Sequence, residues 1–382
     1  MSNRFILNEM SFFGWGCRKE LVNQITSRGF KRGLVVTDDN LVKVGITKKV
    51  LSLLDKANIE YDVFSDVKPN PTISNVKHGL RIARKNHNDY IIAVGGGSVI
   101  DTAKAIGIVL TNPEFKKITD LEGVANTKNP SLPIIALPTT AGTGAEVTIN
   151  YVITDEDTKT KLVCIDPHDI PVVSIIDTEL MAGMPASVVA STGLDALTHA
   201  MECYITKGHN DMSDMFALKA MNMIFNNIEK AVINDKEALE KMAMAQYIAG
   251  MGFSNAGLGI VHSMAHQLGA LYDTPHGVAN AILLPYVMEY NGEVCADRFI
   301  DMGKAIGLDM DGLKDKEAVK KVVDSIRDLT IRLNIPQHIK EVGAKVEDVS
   351  LLAFKALYDP CTSGNPREMD IKDFEELFEK VL

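Results

Sequence analysis

Apolar residues in the first half of the chain fall in short unbroken runs separated by segments of helical rhythm. Gly33 to Asp38, Tyr61 to Phe64, Tyr90 to Val94 and Ile134 to Leu137 are four such runs. None alternates apolar with polar, the pattern expected of parallel strands covered on both faces. Between them, Thr47 to Ala57 and Ser74 to Lys85 repeat apolar residues at helical spacing. Strand, helix, strand at this rhythm predicts βαβ units and a doubly wound, Rossmann-like parallel sheet. Tyr151 to Thr154 and Leu162 to Ile165 flank a charged tip and predict a β-hairpin, and Val172 to Ile176 predicts one more strand.

After about Asp177 the texture changes. Met215 to Ile228 and Leu239 to Ala249 carry apolar residues at i, i+3 and i+4, and no further strand is expected up to Leu382. A boundary near residue 182 divides the chain into an α/β dinucleotide-binding domain, 1–182, and an all-α domain, 183–382.

Composition narrows the class. With 382 residues and 46% hydrophobic types, the chain can bury a large core without covalent staples. Forty basic against fifty acidic side chains give a net charge of −10, which argues against nucleic acid and anionic membranes as partners. Lys116-Lys117 and Lys320-Lys321 read as solvated charge clusters. No run approaches the ~18 apolar residues of a membrane span, and Met1 to Phe13 lacks a leader layout. Five scattered cysteines (17, 164, 203, 295, 361) without a CxxC suggest reduced thiols and a cytoplasmic setting.

The first candidate chemistry is Gly95-Gly96-Gly97-Ser98, placed between the Val94 strand and a helix-patterned segment. Glycines admit a pyrophosphate close to the backbone, and a helix N-terminus aims N–H groups and partial positive charge at it. Ser98 can donate a hydroxyl or cap the helix, and Asp101 is expected in its first turn. No GxGxxG follows a predicted strand. Pro138 to Gly144, with Thr139, Thr140 and Thr143, is a second candidate turn just past a strand. Asp38 ends a strand where a carboxylate can accept ribose hydroxyls and repel a 2′-phosphate, favouring NAD over NADP. Gly250-Met251-Gly252 and Gly257-Leu258-Gly259 read as packing or turn glycines.

The second candidate is metal chemistry. Asp195 and His199 stand at i and i+4, as do His262 and His266, and His276 follows. Each pair shares one helix face. One carboxylate and four imidazoles, with no thiolate, suit Fe²⁺ or Zn²⁺. That is one imidazole more than a four-ligand site uses, so one of the four is free for proton transfer or support.

Taken together, the Gly95–Ser98 turn with Asp101 and Lys104, Pro138–Gly144, Asp195/His199, His262/His266 and His276-Gly277 resemble the iron-containing (group III) alcohol dehydrogenases from end to end. The resemblance implies an N-terminal nucleotide domain and a C-terminal helical domain, as in the dehydroquinate synthase-like architecture. It implies Asp195, His199, His262 and His276 as ligands of Fe²⁺, or of Zn²⁺, with His266 the surplus histidine in proton transfer. It implies that Gly97 and Ser98 hold the pyrophosphate, with Gly96 and Asp101 also in the cofactor site and Asp38 and Asn70 on the adenosine side. Thr139, Thr140, Thr143, Asn150 and Lys161 would contact NAD. Asn150, Val152, Phe253 and Cys361 would line a small substrate pocket. The implied activity is NAD(H)-dependent interconversion of a small aldehyde and its alcohol, in a homodimer or larger homo-oligomer, with Phe5 to Leu7 a strand at a pairing edge.

Three rivals remain at this stage. A dehydroquinate synthase-like lyase would need a basic pocket, and residues 250–280 contain no Lys or Arg. A non-catalytic NAD- and metal-binding sensor leaves the full ligand set unused. A non-haem iron oxygenase leaves the nucleotide turns unexplained.

Overall fold

The structure is a computed structural model that describes residues 4–115, 117–125 and 127–382. Residues 1–3 of the opening stretch, and Lys116 of the first lysine cluster, lie outside the described residues. The chain forms two compact units, 1–183 and 184–382.

The first unit is built in the order β1 (Met10–Phe13), α1 (Glu20–Ser27), β2 (Arg32–Val36), α2 (Asp39–Lys43), α3 (Ile46–Lys56), β3 (Glu60–Phe64), α4 (Ile73–Asn86), β4 (Tyr90–Gly95) and α5 (Gly97–Thr111). It continues with β5 (Gly123–Val124), β6 (Ile134–Pro138), β7 (Asn150–Asp155), β8 (Thr160–Ile165) and β9 (Val173–Ile176). Six strands form one sheet in the order β1-β9-β6-β4-β2-β3, every neighbouring pair parallel. From β2 the chain steps to β3 on one side, then crosses to β4 on the other. Counting from β2, the order is 2-1-3-4-5, one of the two common doubly wound orders, with the switch point between β2 and β4. The antiparallel hairpin β7–β8, joined by β5, makes a separate three-stranded sheet.

Burial accounts for the unbroken apolar runs. Leu34 and Val36, Ile91 and Ala93, and Ile134 and Ala136 face a core that includes Val76, Ile100 and Ile106. Their neighbours Val35, Ile92, Val94, Ile135 and Leu137 face the opposite core with Leu21, Ile25, Val50 and Leu54. Each buried aliphatic side chain contributes roughly 1.5–3 kcal/mol, so a two-sided sheet has no place for polar alternation.

The N-terminal strand corrects an expectation. Residues 5–7 carry no regular structure, and β1 begins at Met10, where it pairs with β9 at the sheet edge. Met10 is opposite Val173 and Phe13 opposite Ile176, so the apolar side chains that set the register lie further along the chain. The run read as Gly33 to Asp38 also ends early, at Val36. The Asp38 carboxylate accepts the Leu41 amide at 3.0 Å and caps α2 instead.

The second unit is helical: α6 (Ala186–Ile205), α7 (Asp211–Val232), α8 (Lys236–Ala256), α9 (Ile260–Tyr272), α10 (His276–Asn291), α11 (Ala296–Ala305), α12 (Asp315–Arg332), α13 (Val349–Leu357) and α14 (Ile371–Val381). From Gly193 to Ile205, α6 is buried round its whole circumference, which makes it the central helix. No helix among the described residues is long and apolar enough to cross a membrane.

Candidate metal and nucleotide sites

In the first unit the two glycine-bearing turns leave adjacent strands at the same level, because Gly95 of β4 is opposite Pro138 of β6. The Thr139 amide donates to the Gly95 carbonyl at 3.1 Å. Glycine is required here by proximity. A Cβ on Gly96 would lie 3.2 Å from Thr140 Oγ1, and one on Gly97 only 2.7 Å from Thr143 Cγ2. The two turns thus form one cradle, with threonine hydroxyls over bare backbone at the N-terminus of α5. It lies beside the β2/β4 switch point, where doubly wound sheets bind nucleotides.

Three details differ from expectation. Ser98 sits inside α5 and donates its hydroxyl to the Pro69 carbonyl, so it does not cap the helix. Asp101 falls in the second turn, since α5 begins at Gly97, and its carboxylate accepts the Val152 amide at 3.2 Å. Burial pushes the Asp101 carboxyl up to about 6, against the pull of Lys104. Asp38 lies two residues past β2 as the N-cap of α2, and its capping bond leaves further carboxylate lone pairs for another donor. Asn70 accepts a bond from Lys161 Nζ at 2.6 Å, which joins two predicted contact residues directly.

Lys104, which carried no role in the sequence, is fully buried on α5. Its ammonium donates to the carbonyls of Thr148 at 2.6 Å and Asn150 at 2.8 Å, and lies 3.6 Å from Asp169. It ties the helix bearing the glycine turn to the start of the hairpin. Burial pushes the Asp169 carboxyl up to about 8, and Lys104 opposes that shift.

In the second unit, Asp195, His199, His262 and His276 offer ligand atoms that all lie within 4.8 Å of one another. α6 supplies the first two, α9 the third, and the first residue of α10 the fourth. Asp195, His199 and His262 are buried. The His199 and His262 rings stack at 4.6 Å, and Phe253 covers the other face of His199 at 4.2 Å. Burial, reinforced by the neighbouring imidazoles, holds His262 well below the usual histidine range, so it is neutral and able to ligate.

The donor set fits a divalent ion in two further respects. His262 Nδ1 lies 2.5 Å from Glu202 Oε2, so that nitrogen is engaged and Nε2 is the one left for a metal. The amide nitrogen of Asn280 lies 2.7 Å from Asp195 Oδ1, 3.2 Å from His262 Nε2 and 3.1 Å from His276 Nε2. It is buried, and its own carbonyl oxygen has no hydrogen-bond partner. This N–H group stands in for a cation, facing lone pairs that converge on one point.

His266, the surplus histidine, lies one turn beyond His262. Its Nδ1 is 2.8 Å from Asp359 Oδ2, and its ring stacks on His276 at 5.6 Å. Cys361 is close by, its amide donating to Asp359 Oδ1 at 3.0 Å. Of the predicted substrate residues, Phe253 and Cys361 therefore belong to the histidine cluster. Asn150 and Val152 belong to the hairpin of the first unit.

Sequence reasoning missed Glu202, Asn280 and Asp359. Glu202 continues the helical stripe of Asp195 and His199 at i+7, and Asn280 stands four residues after His276; both signals were available. Asp359 reaches His266 across 93 positions of sequence, with no local pattern to mark it.

A family model for iron-containing alcohol dehydrogenase matches residues 8–178, and one for the C-terminal part of the Fe-containing alcohol dehydrogenase family matches 189–382. The chain belongs to the iron-containing alcohol dehydrogenase family, and it is an oxidoreductase of alcohols and aldehydes. It is 50% identical over 378 residues, 99% of each chain, to a lactaldehyde reductase of Escherichia coli K12. Among solved structures, a 1,3-propanediol oxidoreductase superposes with a TM-score of 0.96 at 40% identity, covering 100% of both chains. A sulfoacetaldehyde reductase from Bifidobacterium kashiwanohense in complex with NAD+ gives 0.87 at 30% identity, covering 100% of this chain and 99% of the other.

Proposed function

We propose that the chain is an NAD-dependent, iron-loaded lactaldehyde reductase, interconverting lactaldehyde and 1,2-propanediol. The observation that carries this is the convergence of Asp195, His199, His262 and His276 on one point, with the first three buried. The full-length 50% identity to a lactaldehyde reductase supports the substrate. These four side chains hold Fe²⁺, and Zn²⁺ suits the same donors. Gly96, Gly97 and Ser98 hold the pyrophosphate, and Thr139, Thr140, Thr143 and Lys161 add contacts. Asp38 and Asn70 face the adenosine side, and Asp101 acts through the hairpin strand it fastens. We assign nucleotide binding to 1–182 and metal binding to 183–382.

An ion held by Asp195, His199, His262 and His276 would supply Lewis-acid polarisation of the substrate oxygen, and a nicotinamide held by the glycine turn would supply or take up the hydride. The protein's share is to position and to exclude water. Three buried ligands and the Phe253 ring on His199 give the metal point an apolar border on that side. His266 exchanges the proton of the substrate oxygen, and its engaged Nδ1 leaves Nε2 for that task. Phe253 and Cys361, beside the histidines, limit the substrate to a few carbons. One methylene changes discrimination by only ~1–3 kcal/mol, so related short alcohols should also react.

Five free cysteines support a cytoplasmic setting, and family membership supports a homodimer or larger assembly, which light scattering of the purified protein measures. The deciding assay is anaerobic. Protein loaded with Fe²⁺ or Zn²⁺ receives NADH and lactaldehyde, glycolaldehyde, propanal or 3-hydroxypropanal, and nicotinamide absorbance is followed. Lactaldehyde should give the highest kcat/KM. A preference for 3-hydroxypropanal would move the assignment to a 1,3-propanediol dehydrogenase. No turnover with any aldehyde would end it. His266→Ala should slow turnover while keeping the ion.

A further inference from the structure

Beside the four-ligand cluster lies a second set of donors with different chemistry. His266, Asp359 and Cys361 each offer a ligand atom, and these atoms all lie within 4.8 Å of one another. His266 and Asp359 are buried, and Cys361 is partly exposed. The set is already organised: Asp359 Oδ2 is 2.8 Å from His266 Nδ1, and Oδ1 accepts the Cys361 amide at 3.0 Å. Gln267 Nε2 adds a contact to Asp359 Oδ2 at 3.4 Å. The first cluster has no sulfur. The second has a thiol, an imidazole and a carboxylate, three of the four donors a tetrahedral ion takes.

We propose that His266, Asp359 and Cys361 form a second cation site, selective for thiophilic divalent ions such as Zn²⁺, Co²⁺ and Cd²⁺, whose occupation inhibits turnover. Thiolate ligation favours these ions over hard ones. Coordination releases the thiol proton to solvent and replaces the His266–Asp359 hydrogen bond. Inhibition rests on the proposed proton-exchange role of His266; the site's existence does not.

Cobalt separates the two sites, because only the second can give a sulfur-to-cobalt charge-transfer band. Metal-free full-length protein is titrated anaerobically with Co²⁺, and absorption, bound metal and aldehyde reduction by NADH are recorded at each point. The expected result is uptake of two equivalents, a near-ultraviolet thiolate band accompanying one of them, and a fall in rate as that band grows. Cys361→Ser should abolish the band and weaken the associated equivalent roughly 100-fold or more. His266→Ala should weaken it too. His262→Ala, which damages the first cluster, should keep the band. Absence of a band in the native chain at saturating Co²⁺, or its persistence in Cys361→Ser, overturns the site. A band that grows with no change in rate overturns the inhibition. A band without turnover at any cobalt level leaves the second site standing and counts against the proposed reductase.

Discussion

Glu202 Oε2 lies 2.5 Å from His262 Nδ1 inside the helical unit, while the other carboxylate oxygen accepts the Val261 amide at 2.7 Å. The carboxylate sits on the N-terminus of α9, where unpaired N–H groups stabilise it. Gly259 makes room for it: a Cβ there would lie 2.9 Å from Glu202 Oε1. Glu202 therefore orients a candidate ligand while being oriented by the helix that carries it. Glu202→Gln keeps the shape but weakens that control. It should lower affinity for the divalent ion about 10–100-fold, as loss of such supporting partners does. Competition against a graded chelator measures it; unchanged affinity would reduce the contact to packing.

The nucleotide cradle makes a steric prediction. Gly97→Ala places a methyl 2.7 Å from Thr143 Cγ2, a distance no side chain tolerates. Thr143 must move, and with it the second turn. The dissociation constant for NADH should rise about tenfold, equivalent to ~1.4 kcal/mol. Metal content should not change, because all four candidate ligands belong to the other unit. Thr143→Ser removes the offending methyl, so the double variant should recover part of the loss in a binding titration.

Asp38 has two possible employments, and one variant tells them apart. Its carboxylate caps α2 through Leu41. Replacing a cap by Gly costs only a few tenths of a kcal/mol, so Asp38→Gly should barely affect stability. If the same carboxylate holds the adenosine ribose and repels a 2′-phosphate, kcat/KM should fall with NADH and rise with NADPH, shifting the ratio roughly tenfold or more. An unaltered ratio in paired steady-state assays would leave Asp38 as a helix cap alone.

The buried Lys104–Asp169 pair predicts a pH dependence of stability. Burial raises the Asp169 carboxyl from 3.8 to about 8, with Asp166 and Asp101 adding to the shift and Lys104 opposing it. Asp101 is raised to about 6. In this range the folded chain keeps protons that the unfolded chain has released. The associated stability is complete below the unfolded value of 3.8 and drains away as pH climbs through the folded values. Asp169→Asn keeps a neutral group and removes that titration. Urea midpoints of the variant should decline less between pH about 6 and about 8 than those of the parent. Equal slopes would show that Asp169 is ionised in the fold throughout.

Much of the framework could be read directly. The runs at 90–94, 134–137 and 172–176 became strands because both sheet faces are covered there, with β4, β6 and β9 wholly buried, whereas 61–64 became the partly exposed edge strand β3. Asp195, His199 and His262 came together because the stretches of α6 and α9 that carry them are buried. What escaped was non-local. Strand order needs the crossover from β3 to β4, which no local pattern specifies. β5 has two residues, too few for periodicity. Asp101 and Lys104 stand out in the sequence as motif residues beside the glycine turn, but their bonds to the hairpin at Val152, Thr148 and Asn150 depend on packing that no local pattern marks. The N-terminal strand was placed too early because Phe5 to Leu7 and Met10 to Phe13 are similarly apolar, and the choice between them depends on the partner β9.

The helices that present Asp195, His199, His262 and His276 are held by their own cores, and Asn280 already bridges three of those side chains. Small zinc domains collapse when stripped, since the ion is their core. Here the socket outlives its occupant. A preparation emptied by chelation should stay folded, melt below the loaded form only by the amount the ion's binding supplies, and regain its ion quickly on simple addition, with no refolding step in between.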